Sequence, residues 1–582
     1  MQNVKDEDVC SRISNEILEN ITFSSQGKTP SPKNFKTYKK DLLKTALKEW
    51  DAVNQQENFL EYLKNAEQNR LSGVKLENLK LDTSYIKFSS NRSDFEIKLN
   101  HDFPVESTAK AFRRGKLVDL LIHNKHTKEK WGSVSGIISK VDHSCIFIEV
   151  SSLGDNFLLQ SFKKQEWTHV DLQRKSSSKI MEISAKAIKE LKLNSNNYNI
   201  ASKLLDFEEK QSNLQFPQVP IFCDKEFILD EDKKYAVNLC SNSNPITIIH
   251  GPPGTGKTTA LASVIISAVA NGSKVLATAP SHAAVDALTL AIVKQWDEDI
   301  LNISLSKLLR IGNVLRLKDP RTKNYLPKTS PQTQSYCEDL EHLRVDLLKE
   351  TKGKKLLLES EQKLINQIRH TSTKSDFDQI SNSHTVISTC LTALNWPRNI
   401  HRMFDLICVD EAAFAPDWLI VPLALSGIPK LVMSGDHFQL PPVIVSDSSS
   451  NTSLMENLIH KVPTATLTQQ FRSNEIISKW SSRHFYENKL HAHNSVKSIT
   501  LNDLVKTKNS NLENPLLFID TSGQNFDESE DAEGVSISNH NEAFVVELVV
   551  RKYIKLGIPT KDIGVITPYW SQVPTKNSQS KF

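Results

Sequence analysis

One stretch limits what this chain can fold into more than any other: GPPGTGKTT, Gly251–Thr259. It fits G-x-x-x-x-G-K-[ST], it follows the apolar run PITIIH, and it opens a helical pattern beginning near Lys257. A glycine loop between a buried strand and a helix lets backbone N–H groups face a phosphate, and the helix N-terminus adds partial positive charge. Within Gly251, Pro252, Pro253, Gly254, Thr255, Gly256, Lys257, Thr258 and Thr259, two side chains have specific work. Lys257 is placed to reach the β- and γ-phosphates of a nucleotide and Thr258 to hold Mg²⁺. A glycine loop without function would need strand, helix and full pattern to coincide by chance.

The surroundings extend the pattern. PITIIHG, KVLATAP, TVIST, DLICVDE and KLVMSGD are near-continuous apolar runs separated by helical segments. Such runs predict parallel strands covered on both faces, an α/β fold of the P-loop NTPase type. LICVDEAAF sets Asp410 and Glu411 at the end of one such strand, where nucleotides bind in open parallel sheets. Asp410 is the expected Mg²⁺ ligand, direct or through water. Glu411 is the group expected to orient and deprotonate an attacking water.

At 582 residues the chain is long enough for several domains. Lys+Arg 72 against Asp+Glu 68 leaves +4, a balance that permits a polyanion partner without arguing for one. The seven cysteines (10, 145, 223, 240, 337, 390, 408) are scattered, with no metal-binding spacing, and read as reduced thiols. No secretory signal opens the chain and no apolar run reaches the length of a membrane span, so nucleus and cytoplasm are the expected compartments.

The predicted organisation begins with a polar tail, 1–32. A helical stalk, 33–98, follows from apolar positions Phe35, Tyr38, Leu42, Leu47 and Trp50, continuing to about Leu71. Period-two strands (Lys116–Ile122, Gly132–Val141, Cys145–Val150) predict a small β-barrel over 99–172. The first α/β domain is assigned to 173–462, with a helical insertion at about 300–382. A second α/β unit occupies 463–582, with strands expected at Leu516–Asp520 and Ile563–Thr567.

In order along the chain, GPPGTGKTT, ATAPSHAAVDAL, VISTC, VDEAAFAPD, SGDHFQLPP, LTQQFRSNEIISKWSSRHFYENKL and GVITPYWSQV resemble successive motifs of superfamily 1 helicases. The branch they resemble holds the nonsense-mediated decay helicase, senataxin and the immunoglobulin mu-binding protein. The resemblance runs from about 229 to 573 and implies RecA-like domains, ATP with Mg²⁺, and 5′→3′ movement along DNA or RNA. It implies that Gln439 senses the γ-phosphate, that Asp436 couples that site to nucleic acid, and that Arg472 reaches the phosphate from the second domain. It implies Phe471 stacking on adenine, and Pro280, Ser281, His282 and Thr389 touching the sugar-phosphate backbone. Read alone, a phenylalanine such as Phe471 is more often a core residue, and a serine such as Ser281 is usually a helix cap.

Three positions depart from the family. Lys233 stands where the family has an adenine-reading glutamine, and lysine has no acceptor, so adenine selectivity is in question. His282 replaces asparagine, and Trp570 replaces a small or polar residue. Basic side chains at Arg113, Arg114 and Lys116, and in ETKGKK (Glu350–Lys355), offer phosphate contacts or simply a solvated face.

The reading is an ATP-dependent helicase or translocase gripping nucleic acid mainly by its backbone. Two rivals stay open: an ATP- and nucleic-acid-binding regulatory protein with little motor activity, and a P-loop enzyme such as a small-molecule kinase. The family's Gly-Arg-Glu and LTRA-like segments occur nowhere in residues 1–582. The expectation is therefore of an incomplete second RecA-like domain, slow hydrolysis, and activity restored by a second polypeptide or longer form carrying those segments.

Overall fold

The computed structural model describes residues 35–62, 75–88, 95–100, 117–123, 130–141, 144–150, 169–174, 178–205, 229–312, 317–328, 374–446, 453–505, 513–524, 526–530, 536–569 and 571–572. The polar tail, the 63–71 part of the stalk, the 111–116 and 350–355 basic clusters, the long helical stretch of the insertion, Trp570 and residues 573–582 lie outside them. Among the described residues no helix is long and apolar enough to cross a membrane. The described parts form two compact units, one from 1–62, 176–252 and 256–467, the other from 63–175, 253–255 and 468–582.

In the second unit, six antiparallel strands close into a barrel in the order β1-β2-β5-β4-β3-β6. They are β1 (Lys75–Phe88), β2 (Phe95–Asn100), β3 (Leu117–His123), β4 (Lys130–Val141), β5 (Cys145–Val150) and β6 (His169–Arg174). Alternate residues point inward: Ile97 and Leu99, Val118 and Leu120, Ile146 and Ile148, Val170 and Leu172 are all buried in one cluster. Closure through β1–β6 pairing removes the open edges that a six-stranded sheet would expose. The barrel thus starts at Lys75, so within the expected stalk of 33–98 the residues 75–88 and 95–98 are strand, not helix. The misreading stems from a register irregularity between Leu76 and Leu79. It leaves the buried leucines of β1 at 76, 79 and 81, a spacing that hides the period of two.

The first unit is built on a parallel sheet of seven strands in the order β13-β7-β12-β11-β8-β10-β9. These are β7 (Ile246–His250), β8 (Val275–Ala279), β9 (Leu308–Arg310), β10 (Thr385–Thr389), β11 (Leu406–Val409), β12 (Lys430–Gly435) and β13 (Thr464–Thr466). Both faces are covered, which is why the strands read as unbroken apolar runs. Ile246, Ile248, Leu276, Ile407 and Met433 enter one core. Ile249, Val275, Ala277, Cys408 and Val432, the alternate positions, enter the other. The edge strand β9 falls inside the segment read as an insertion. Three residues are too few to show alternation, and the strand is revealed only by its pairing with Thr385–Ile387.

Helix α1 (Phe35–Tyr62) buries Leu42, Ala46 and Trp50, four residues apart on one face, and packs on α2 (Ser178–Lys189). On the other face of the sheet lie α3 (Glu231–Ser241), α4 (Lys257–Ala270) and α5 (His282–Gln295). The short α6 (Asp417–Ala424) returns to the α1–α2 side. Glu49 of α1 is buried, and its carboxylate accepts from the backbone N–H groups of Val445 (2.7 Å) and Ser446 (2.8 Å). The N-terminal helix is therefore tied to the segment that follows Gln439.

After Thr468 the second unit holds α7 (Glu475–Phe485), α8 (His540–Lys555) and two ladders of two-residue strands. Leu516–Asp520 and Ile563–Thr567 are not strands: they pair with nothing among the described residues. Apart from the half-buried Ile563 their apolar side chains are exposed, Phe518 at 84% and Ile566 at 95%. Apolar content alone supplied that expectation, and a strand also needs a neighbour to receive its N–H and C=O groups.

Candidate active site

Because all seven strands of the sheet run the same way, their carboxyl ends lie along one edge. The phosphate loop leaves β7, Pro280–His282 leave β8, Thr389 ends β10, Asp410 follows β11 and Asp436 follows β12. The sequence scatters these residues over more than a hundred and fifty positions, and topology collects them.

The loop has the backbone that a phosphate cradle requires. Gly254 (φ 80°) and Gly256 (φ 82°) occupy the left-handed region that side-chain-bearing residues avoid. At Gly256 a Cβ would also meet Lys233 Cε at 2.9 Å. Gly251 N–H donates to the carbonyl of Gly435 (3.1 Å), fixing the loop's start to β12. Helix α4 opens at Lys257, which is buried with Thr255, while Thr258 and Thr259 are half-buried. The loop's tip, Pro253–Thr255, clusters with the residues after Thr468, and there Phe471 N–H donates to the carbonyl of Gly254 (2.9 Å).

Thr258 Oγ1 donates to Asp410 Oδ2 at 2.9 Å. Asp410 is fully enclosed, and burial, with the Glu411 charge adding to it, pushes its carboxyl up to about 6. A carboxylate desolvated this far has strong demand for a cation, and hydroxyl plus carboxylate oxygens are the donors a hard ion such as Mg²⁺ takes. Thr258 and Asp410 thus fit the ion expected of them. Glu411 is half-buried and holds φ 52°, an uncommon conformation for a residue with a side chain. Its N–H donates to its neighbour's Oδ1 (3.1 Å), so the turn that aims Glu411 is stitched to Asp410 itself.

Asp436 organises the next part of the edge. Its Oδ2 accepts from Gln439 Nε2 (2.7 Å), and its Oδ1 accepts from Phe438 N–H (3.2 Å) and lies 3.1 Å from His250 Nε2. Gln439 itself is exposed. Burial and the nearby His250 hold His437 below the usual imidazole range.

Other predicted residues are placed differently. Ser281 is the N-cap of α5, accepting from Ala284 N–H (3.1 Å), and it remains exposed. Thr389 is buried and caps the following short helix, accepting from Thr392 N–H (3.2 Å). The cap reading of Ser281 holds, Thr389 has a capping role the sequence reading did not give it, and Pro280 and His282 flank Ser281 half-buried. Phe471 is exposed and stacks obliquely on His493, ring centroids 4.6 Å apart; Arg472 is exposed. Lys233 is buried and ion-paired with Asp230, its side chain lying against Gly256.

Sequence reasoning missed three groups. The pair Arg310–Asp286 is wholly buried at 2.9 Å, and Asp286 also accepts from Lys318 N–H (2.6 Å) and Asp319 N–H (3.1 Å). An aspartate on an otherwise apolar helix face was the available signal. Glu49 gave a similar one. The His250–Asp436–His437 cluster gave none, because its members lie in different motifs.

Two family models, each described as an AAA domain, match this chain. One covers 228–379 and 316–447, the other 450–581. A DNA-binding protein SMUBP-2 of Mesocricetus auratus is 31% identical over 61% of this chain. The chain belongs to the superfamily 1 helicases. Its branch is the one that holds the nonsense-mediated decay helicase, senataxin and SMUBP-2. An uncharacterized ATP-dependent helicase of Methanocaldococcus jannaschii is 31% identical over 64% of the chain. The DNA polymerase alpha-associated DNA helicase A of Schizosaccharomyces pombe is 31% identical over 59%. The chain spans 37%, 63% and 53% of the lengths of these three relatives. The sheet carrying the phosphate loop is the α/β RecA-like P-loop fold of that family.

Proposed function

We propose that this chain binds Mg-ATP at the carboxyl edge of its parallel sheet and hydrolyses it to move along single-stranded nucleic acid. One observation carries the reading: Thr258 Oγ1 meets Asp410 Oδ2 at 2.9 Å beside the buried Lys257. Two neighbouring residues of the phosphate-binding loop thus meet a carboxylate from a distant part of the sequence. When bound, Mg²⁺ supplies charge neutralisation on the phosphate oxygens. Lys257 and the loop N–H groups hold the β- and γ-phosphates, and α4 adds its N-terminal dipole. Glu411 orients a water and takes its proton, and Gln439 reports the γ-phosphate to Asp436. For Arg472 and Phe471 the reading rests on the family resemblance alone.

Relatives named DNA-binding protein, DNA helicase and regulator of nonsense transcripts favour a nucleic-acid track of either kind. The family implies 5′→3′ polarity. Pro280–His282 and Thr389 are the proposed backbone contacts on the same edge, and nucleus or cytoplasm the proposed compartment. A second reading, binding with little motor activity, is favoured by Leu516–Asp520 and Ile563–Thr567, which are largely exposed and form no strand pairing among the described residues. On it, a polypeptide supplying partner strands raises turnover.

The test is ATP hydrolysis by the purified chain with and without single-stranded DNA or RNA. Stimulation that weakens as salt rises supports the motor, since single-strand binding loses roughly 0.7 log units per phosphate per decade of salt. Nucleotide binding without stimulation favours the second reading. Absence of both overturns the proposal.

A further inference from the structure

Besides the phosphate loop, the carboxyl edge carries a second concentration of metal-binding side chains. His250, Asp436 and His437 each offer one ligand atom, and these atoms lie within 4.8 Å of one another. Two adjacent strands bring them together: His250 ends β7 opposite Gly435 of β12, and Asp436 and His437 follow directly. His250 and Asp436 are buried, with Nε2 and Oδ1 3.1 Å apart. His437 is half-buried, its ring 4.9 Å from that of His250 and 3.9 Å from that of Phe438. Its Nδ1 is shielded from solvent and makes no hydrogen bond. A shielded ring nitrogen left without a partner is destabilising, because its lost hydration is not replaced. The His250–Asp436 hydrogen bond accounts for two members of the cluster and leaves this nitrogen unexplained.

We propose that His250, Asp436 and His437 bind a borderline transition-metal ion of the Zn²⁺ class, distinct from the Mg²⁺ expected at Thr258 and Asp410, and that its binding restrains Gln439. The donor set decides the class. Two imidazoles and one carboxylate suit Zn²⁺ or Co²⁺, whereas Mg²⁺ prefers oxygen alone. Tetrahedral bonds of about 2.0–2.1 Å put donor atoms about 3.3 Å apart. The 3.1 Å pair already meets that spacing, and a rotation of the half-buried His437 brings in the third. A fourth position stays open to water.

The consequence follows from what Asp436 already holds. Gln439 Nε2 donates to its Oδ2 at 2.7 Å, so an ion on Oδ1 fixes the carboxylate that holds Gln439 and restrains that side chain. Metal binding then slows ATP turnover without competing for the phosphate loop. This second half rests on the proposed ATPase function; the binding site does not.

The test is a Co²⁺ titration of the nucleotide-free full chain, followed by visible absorption. One equivalent should produce ligand-field bands of a four- or five-coordinate N/O site, without sulfur-to-cobalt charge transfer, and Zn²⁺ should displace it. His437→Ala should weaken the affinity at least tenfold while circular dichroism stays unchanged. His437→Gln, nearer in volume, serves if the alanine variant is unstable. No bands at one equivalent, bands of thiolate character, or bands undiminished in the His437 variants overturn the site. In the second arm, Zn²⁺ added to excess Mg-ATP should lower turnover in the parent and not in His437→Ala. Bands without loss of turnover overturn the restraint on Gln439 and leave the binding site supported. If the chain hydrolyses no ATP at all, the functional reading fails while the Co²⁺ bands still decide the site.

Discussion

The sheet of the first unit and the segments after Thr468 use the same apolar residue types to different ends. Ile407 and Val409 of β11 are fully buried between two helical layers, with strands on both sides to receive their backbone hydrogen bonds. Phe518 and Ile566 sit in segments of similar composition, and both face solvent. The difference shows that an apolar run makes a strand only where a neighbouring ladder and a covering layer exist. It also separates the proposed site residues: Lys257, Asp410 and Asp436 are buried, whereas Phe471 and Arg472 are exposed.

The comparison breaks most readily at Glu411. Glu411→Gln keeps the shape of the turn and removes the proton acceptor, so turnover should fall roughly 10²–10⁴-fold with Mg-ATP affinity retained. Steady-state hydrolysis alongside equilibrium nucleotide binding checks this, and equal loss of both would assign Glu411 to folding instead. Next in size is the core. Ile407→Ala should cost about 2–5 kcal/mol in denaturant unfolding, because its cavity lies between two rigid layers.

A smaller effect depends on pH. Burial, with the nearby Glu456 charge assisting, pushes the Asp417 carboxyl from 3.8 up to about 7. The folded chain therefore holds a proton that the unfolded chain releases between those values, and wild-type stability falls as pH rises through that window. Asp417→Asn removes this titration. Its melting temperature relative to wild type should be higher at pH 8 than at pH 5, and a pH-independent difference would contradict the assignment. Smallest of all is Phe518→Ala, expected within about 0.5 kcal/mol of wild type, as for most exposed positions. A loss as large as that of Ile407→Ala would mean the segment is packed after all.

Much of the first unit was legible because its signals are local. A glycine loop flanked by a strand and a helix, and DE after an apolar run, carry their meaning within ten residues. The barrel was legible from β3 to β5 and misread at β1, where the irregularity between Leu76 and Leu79 broke the period of two. Strand β9 was hidden by its length. The contacts of Glu49 with Val445 and Ser446, and of Lys233 with Gly256, join positions whose proximity only the folded chain establishes. Lys233, noted in the sequence as a departure at the base-reading position, is engaged with Asp230 at the foot of the phosphate loop.

The Mg-ATP site proposed at the carboxyl edge of the parallel sheet has Lys257 as its principal cation. Equilibrium binding of Mg-ATP to the wild type and to Lys257→Ala tests it most directly. Removing one partner of a buried charge pair costs about 2–5 kcal/mol, so affinity should fall at least about thirtyfold while the fold, followed by circular dichroism, is unchanged. Equal affinity in the two proteins would contradict the account and place the nucleotide elsewhere.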